Sequence, residues 1–306
     1  MKTFFRKIGG FLTGLRVWTV NLFTLLFVVY LVVVIGTVMD SQPGAVDPEG
    51  KVLIIAPEGL ILDQEAFSTD FDFPFAGLPE DNQLQTRDLI RLIRAAAEDD
   101  RLAAVLVDFS KASFAGISTA SLLAEELAAV RGSGKPVIAY SEVLSTGSYL
   151  LASQADEIFV HNSGGLSISG LGGYRQYTRE LTEKLKISIH NYSQGDYKSF
   201  VEGLTRNDMS EPDKLQRREL YGPIWESMKQ QMAAARGVDV ELFQIFADKH
   251  SLSMFNEAGY DGLAIAQEQG LIDGTKSYPE FRDYMIERFG VDEDAERTTY
   301  PHIMGS

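Results

Sequence analysis

Cysteine is absent from the 306 residues, which excludes a disulfide framework, thiolate metal ligation and a cysteine nucleophile, so the fold rests on packing. Histidine is scarce: His161, His190, His250 and His302 are the four, and none stands in a recognisable motif with Ser or Asp, as Ser-His-Asp chemistry would require. Basic residues are outnumbered, with 28 Lys and Arg against 43 Asp and Glu. Four of them, Lys2, Arg6, Lys7 and Arg16, precede Val17, so the remainder holds 24 against 43 and does not favour nucleic acid as a partner. The glycine-dense Gly164 to Gly173 lacks a Walker Gly-Lys-Ser/Thr ending, and its glycines do not fit G-x-G-x-x-G after a strand. No phosphate site, metal or cofactor is expected.

Long apolar runs are represented once. Val17 to Met39 carries no Asp, Glu, Lys or Arg, and Leu22 to Ile35 is apolar almost throughout, Thr24 being the main interruption. As a helix these positions reach about 34 Å, enough to cross a bilayer. The expectation is a basic cytoplasmic segment over 1–16, a transmembrane helix in contact with lipid over 17–39, and a Pro- and Gly-containing linker over 40–50. A buried core helix and a cleaved signal sequence pass the same test, although the exit, Gly36 to Pro43, shows no good cleavage site. Basic residues before the span and Asp40, Asp47 and Glu49 after it place the amino terminus in the cytoplasm. The main domain is then extracytoplasmic, periplasmic in a bacterium, and the anchor lies in the inner (cell) membrane.

From Lys51 the pattern alternates short apolar runs with amphipathic stretches. Strands are expected at 51–56, 103–109, 137–140 and 157–160, with a final short one at Leu271-Ile272. Helices are expected over 86–99, 118–130 with Leu122, Leu123, Leu127 and Val130 inward and Gly132 as C-cap, 174–185, 210–236, 240–246, 255–268 and 278–289. Continuously apolar strands between helices indicate an α/β domain whose sheet is largely parallel and covered on both faces. The segment 63–82, with Phe67, Phe71, Phe73 and Phe75, reads as an irregular loop that packs over the body or touches lipid or a neighbouring subunit. The tail beyond Gly290 loses periodicity.

Chemistry concentrates around Lys198, in Gly195-Asp196-Tyr197-Lys198-Ser199-Phe200, between a strand-like run at 187–192 and the helix opened by Ser210-Glu211-Pro212-Asp213. A solvated lysine is almost wholly protonated at neutral pH; desolvation can lower its pKa by up to ~3–5 units and let it accept a proton from a serine hydroxyl. A surface lysine in a connecting loop is the plain alternative. Ser145-Thr146-Gly147-Ser148, a turn into a short helix, offers hydroxyls that serve either as N-caps or as a nucleophile. The glycine-rich segment 164–173 is either a backbone on which an extended peptide can pair or a turn.

The phrase "GDYKSFVEGLTRNDMS" (195–210), the phrase Tyr149-Leu150-Leu151-Ala152-Ser153-Gln154-Ala155, the basic start and the order of elements together resemble the signal peptide peptidase A (protease IV) family, in particular the amino-terminal half of its long form. The resemblance implies a crotonase-like domain of repeated strand-strand-helix units over 51–290, followed by a linker or truncated end over 291–306. It implies that Lys198 is the general base of a Ser-Lys dyad in a membrane-anchored serine peptidase that degrades cleaved signal peptides, which are extended and apolar. It also implies a homo-oligomer, with a tetramer suggested. The long form carries its serine in a second half, and here Thr146 takes the nucleophile position. The expectation is therefore a partial chain supplying the lysine and inactive without the serine-bearing half. A non-catalytic scaffold, and a self-contained peptidase using Thr146, Ser145 or Ser148, remain as alternatives.

Overall fold

The computed structural model describes residues 2–40, 47–64, 83–256, 259–293, 295 and 297–305. The aromatic segment expected to be a loop thus lies outside the described residues from 65 to 82, as does most of the linker. In order the elements are α1 (Lys2–Asp40), β1 (Val52–Ile55), β2 (Gly59–Leu62), β3 (Gln83–Gln85), α2 (Thr86–Glu98), β4 (Ala104–Val107), β5 (Ala112–Phe114), α3 (Ile117–Gly132), β6 (Val137–Ser145), α4 (Thr146–Ala152) and β7 (Glu157–Ser167). They continue with α5 (Arg179–Lys184), α6 (Glu202–Thr205), α7 (Glu211–Arg236), α8 (Val240–Asn256), α9 (Gly262–Glu268), β8 (Gly274–Thr275), α10 (Tyr278–Phe289) and β9 (His302–Met304).

The chain divides into two units, Met1–Asp47 and Pro48–Ser306. The first is α1, longer than the 17–39 expected. Its stretch Gly14–Val34 has a mean hydropathy of 2.4, and none of it is buried in protein. It is the one helix among the described residues long and apolar enough to cross a membrane.

The second unit is built on a six-stranded sheet, β8-β7-β6-β4-β1-β9, and a three-stranded one, β3-β2-β5, both parallel throughout. β1-β2-β3-α2 and β4-β5-α3 repeat one plan, in which the first strand joins the large sheet, the next enters the small one, and a helix returns the chain. This is the repeated strand-strand-helix order that the family resemblance implies. The strands are continuously apolar because both faces of the large sheet are covered. Leu53, Val105, Val107, Ala139 and Ile158 pack beneath α2, α3 and α4 with Ile93, Leu123, Leu127 and Leu150. The alternate residues Val52, Ala104, Leu106, Ile138 and Phe159 pack with Phe281 and Met285 of α10. Lys135 ties α2 to the strand that follows α3 by donating Nζ to the carbonyls of Ala96 and Asp99, at the helix end where a cation is favoured.

Several expectations fail for physical reasons. Residues 187–192 form no strand: Ile187 and Tyr192 are exposed, and β-branched alternation without a partner edge does not hold a strand. The helix over 174–185 shortens to α5, which buries none of its residues. Leu122 is exposed rather than inward. Gly132 still belongs to α3, and the left-handed residue is Gly134, at φ 87°. β6 and β7 run on to Ser145 and Ser167, so that Gly164 and Gly165 belong to a strand. Gly164 lies against the backbone of Glu142, where a Cβ would stand 1.8 Å from the carbonyl oxygen. The last internal strand is Gly274–Thr275, whereas Leu271 and Ile272 are buried in the turn before it. Helix α8 absorbs 255 and 256, and α9 starts afresh at 262, capped by Asp261. Among the described residues of the tail, β9 pairs in parallel with β1, Val52 opposite His302, and Tyr300 is buried against α10.

Candidate active site

The lysine segment is mounted on the start of α7. Ser210 caps that 26-residue helix by accepting from Asp213 N at 3.3 Å, and Pro212 sits in its first turn, where a missing N–H costs nothing. Just before it, Glu202 in α6 is nearly buried and accepts from Ser210 N at 3.2 Å. The side chain of Asp213, 3% exposed, turns back to the lysine segment. It accepts from Ser199 Oγ at 3.0 Å, from Arg175 Nη1 at 3.1 Å and from Arg217 Nε at 3.4 Å. These donors satisfy a carboxylate that has little access to water.

Lys198 projects from the turn opened by Gly195, whose φ of +101° suits glycine, and its backbone N–H reaches Gly195 O at 3.4 Å. Its side chain is exposed, not desolvated as a base would require, and its Nζ has neither an ion pair nor a hydrogen bond among the described residues. It borders a surface cavity of about 720 Å³ together with Arg175, Ser193, Tyr197, Phe200 and Arg217. Phe200, 94% exposed, and Tyr197 add apolar surface at the rim. Ser199, next in the chain, has its hydroxyl committed to Asp213.

Thr146 stands elsewhere, bordering a cavity of about 360 Å³ with Phe114, Ile117, Ser145, Gly147, Leu171 and Met228. Lys198 does not border it. The Thr146 hydroxyl donates to Ser169 O and accepts from Ser169 N, both at 2.9 Å. Ser145 and Ser148 form a capping box, with Ser145 N donating to Ser148 Oγ at 2.7 Å and Ser148 N to Ser145 Oγ at 3.3 Å. All three hydroxyls thus serve the end of α4 and the glycine-rich connection. His161 Nδ1 accepts from Ser163 N, the His190 ring stacks on Tyr192, and His302 Nδ1 meets the Tyr300 carbonyl. Among the described residues no group of three or more His, Cys, Asp or Glu is placed to hold a metal.

The structure therefore separates the two sequence-level candidates and adds three residues to the first, Arg175, Ser199 and Asp213. Asp213 was visible in the sequence as an acid in the first turn of a helix; nothing local announced that its carboxylate faces Ser199. Arg175 fell in a stretch expected to be helical, and its role depends on the irregular path that the chain takes instead.

Among known proteins, this chain is similar to Protease 4 of Haemophilus influenzae, 26% identical over 261 residues that cover 84% of this chain and 42% of that protein. It is likewise similar to Protease 4 of Salmonella typhi, 27% identical over 307 residues that cover 95% and 48%. The chain thus spans about half the length of the curated relatives it matches. Solved structures similar to it include the 1510-N membrane-bound stomatin-specific protease, with 11% identity, 84% of this chain and 98% of that one covered, and a TM-score of 0.42. A second is an enoyl-CoA hydratase/isomerase family protein from Hyphomonas neptunium, with 15% identity, 67% and 65% covered, and a TM-score of 0.33. The profile of Peptidase family S49 matches residues 129–292, more than half of the sequence and including both Thr146 and Lys198, and the chain belongs to that family.

Proposed function

We propose that this chain supplies the lysine general base of a membrane-anchored serine peptidase of the Ser-Lys type, acting on extended apolar peptides such as cleaved signal peptides. The observation that carries this reading is the state of Lys198. It borders an open cavity, and no carboxylate holds its ammonium among the described residues. A base must become neutral, and a bound carboxylate would oppose that. The serine comes from a second segment that also covers Lys198, either the carboxy-terminal half of the longer relatives or another subunit of a homo-oligomer. Tyr197 and Phe200 at the rim suit such a cover, since each leaves apolar surface to be buried.

In the assembled site Lys198 Nζ takes the proton from the serine hydroxyl as the oxygen attacks the peptide carbonyl. The ammonium so formed protonates the leaving amine, and a water activated by the same amine releases the acyl group. Helix α1 holds the body at the membrane, with the amino terminus cytoplasmic and the domain outside it, where spent signal peptides remain. The self-contained reading with Thr146 is disfavoured because that hydroxyl is bonded on both sides to Ser169.

The test is hydrolysis of a fluorogenic apolar peptide by the chain alone and by the chain reconstituted with a serine-bearing carboxy-terminal half. Activity is expected in the reconstituted form and lost with Lys198→Ala. Activity that survives Lys198→Ala overturns the base assignment, and no activity in any form favours a scaffold.

A further inference from the structure

We infer that Arg175 and Asp213 are positioning residues for Lys198, a role that rests on the base assignment above. From Lys186 to Val201 the chain runs without helix or strand, so regular backbone pairing does not fix the lysine. Yet proton transfer needs the amine held within a fraction of an ångström, and a displacement of about 1 Å can cost about a hundredfold in rate. What fixes it is a closed ring of hydrogen bonds on the two residues that follow it. Arg175 Nη2 donates to the carbonyls of Ser199 at 2.5 Å and Phe200 at 3.0 Å, while its Nη1 donates to Asp213 Oδ2 at 3.1 Å. Ser199 Oγ closes the ring by donating to Asp213 Oδ1 at 3.0 Å.

Each part of the ring has a physical reason. Asp213 is in the first turn of a long helix, so its carboxylate is a rigid mount that the helix dipole favours as an anion. The planar guanidinium of Arg175 meets a carboxylate and two carbonyls at once, which a lysine ammonium on the same stem cannot reproduce. The ring grips main-chain carbonyls, so it sets the direction in which the preceding residue leaves the backbone. It leaves the Lys198 amine untouched, as a base requires.

The experiment uses the full chain reconstituted with the serine-bearing half, and compares Arg175→Lys, Ser199→Ala and Asp213→Asn with Lys198→Ala. Asp213→Asn can fail by misfolding, because Asp213 is buried; the two milder variants preserve the buried carboxylate and keep the question answerable. For Arg175→Lys we expect kcat to fall about ten- to a hundredfold with KM within about twofold, and the midpoint of thermal unfolding to change little. Hydrogen exchange at the amides of 196–203 is expected to quicken. Wild-type kcat in both Arg175→Lys and Ser199→Ala, with Lys198→Ala inactive, overturns the positioning role and leaves the base assignment standing. A rise in KM alone, or unchanged exchange at 196–203, also overturns it. Activity in Lys198→Ala overturns both.

Discussion

The phenol of Tyr149, wholly buried in α4, donates to the carbonyl of Leu271 at 2.7 Å across 122 residues of sequence. The bond joins the helix that carries Thr146 to the turn that precedes the edge strand β8. Burial raises the phenol's pKa far above the usual tyrosine range and keeps it a neutral donor. Because Leu271 is equally buried, removing the donor strands a carbonyl from water. Tyr149→Phe is expected to cost about 1–3 kcal/mol with the fold unchanged, read as a fall in the denaturant midpoint at constant slope. A wild-type midpoint would show that water replaces the phenol.

Gly164 is the most constrained glycine of the large sheet. Its missing Cβ would stand 1.8 Å from Glu142 O, at the irregularity where the pairing of β6 and β7 shifts between Ser141 and Val143. Two backbones cannot both keep their place around that atom. Gly164→Ala is expected to destabilise by about 3 kcal/mol or more, or to abolish soluble expression, whereas Gly165→Ala, which meets nothing within 4 Å, should cost about 1 kcal/mol or less. Thermal unfolding of the pair decides it, and equal costs would refute the argument.

Thr146 gives an opposite kind of expectation. With its hydroxyl bridging Ser169 N and O, Thr146→Val should loosen the glycine-rich connection by about 0.5–1.5 kcal/mol and leave peptide turnover by the assembled enzyme within about twofold. Loss of turnover at unchanged stability would return Thr146 to the nucleophile role.

Acid sensitivity follows from Glu126 and Arg94, which join α3 to α2 through two hydrogen bonds, 2.8 Å from Nε and 2.5 Å from Nη2. The Arg94 hydrogen bonds, with its charge adding, lower the Glu126 pKa below the usual glutamate range. A depressed folded-state pKa means stability that is present above the unfolded value, about 4.3, and lost as pH falls through the folded one. The difference in unfolding midpoint between wild type and Glu126→Gln should be constant from about pH 6 to 8, and should shrink below about pH 4. A difference that persists into acid would place the effect in packing rather than charge.

The alternation of strands and helices was legible because both faces of the large sheet are covered, which leaves near-continuous apolar runs such as Val52–Ile55 and Ala104–Val107 in the sequence itself. Capping was legible for the same local reason at Ser210 and Ser145. The extent of β6 and β7 was not, because beyond Ser141 the apolar run of β6 is broken by Glu142 and Ser145, beyond His161 β7 turns polar and glycine-rich, and these ends are held by pairing with each other. For the site, the phrase around Lys198 carried the family resemblance, but the clamp behind it did not. Arg175, Ser199 and Asp213 meet only after α6 folds the chain back, and a three-dimensional ring leaves no periodic trace.

The pairing of β9 with β1 places residues about 250 positions apart side by side. At about 5–20 residues per second, the first strand of the sheet would wait about 10–50 s of synthesis for that neighbour. Meanwhile its outer row of amide and carbonyl groups stays open to other chains, and so does the surface that Tyr300 later covers. Closing so long a loop late makes completion of the sheet slow relative to its beginning, and concentrates the hazard of aggregation in the nascent chain. Ribosome-bound chains stalled with residue 304 still inside the exit tunnel, and with residue 304 well clear of it, should differ in protection of the Val52 and Ile54 amides.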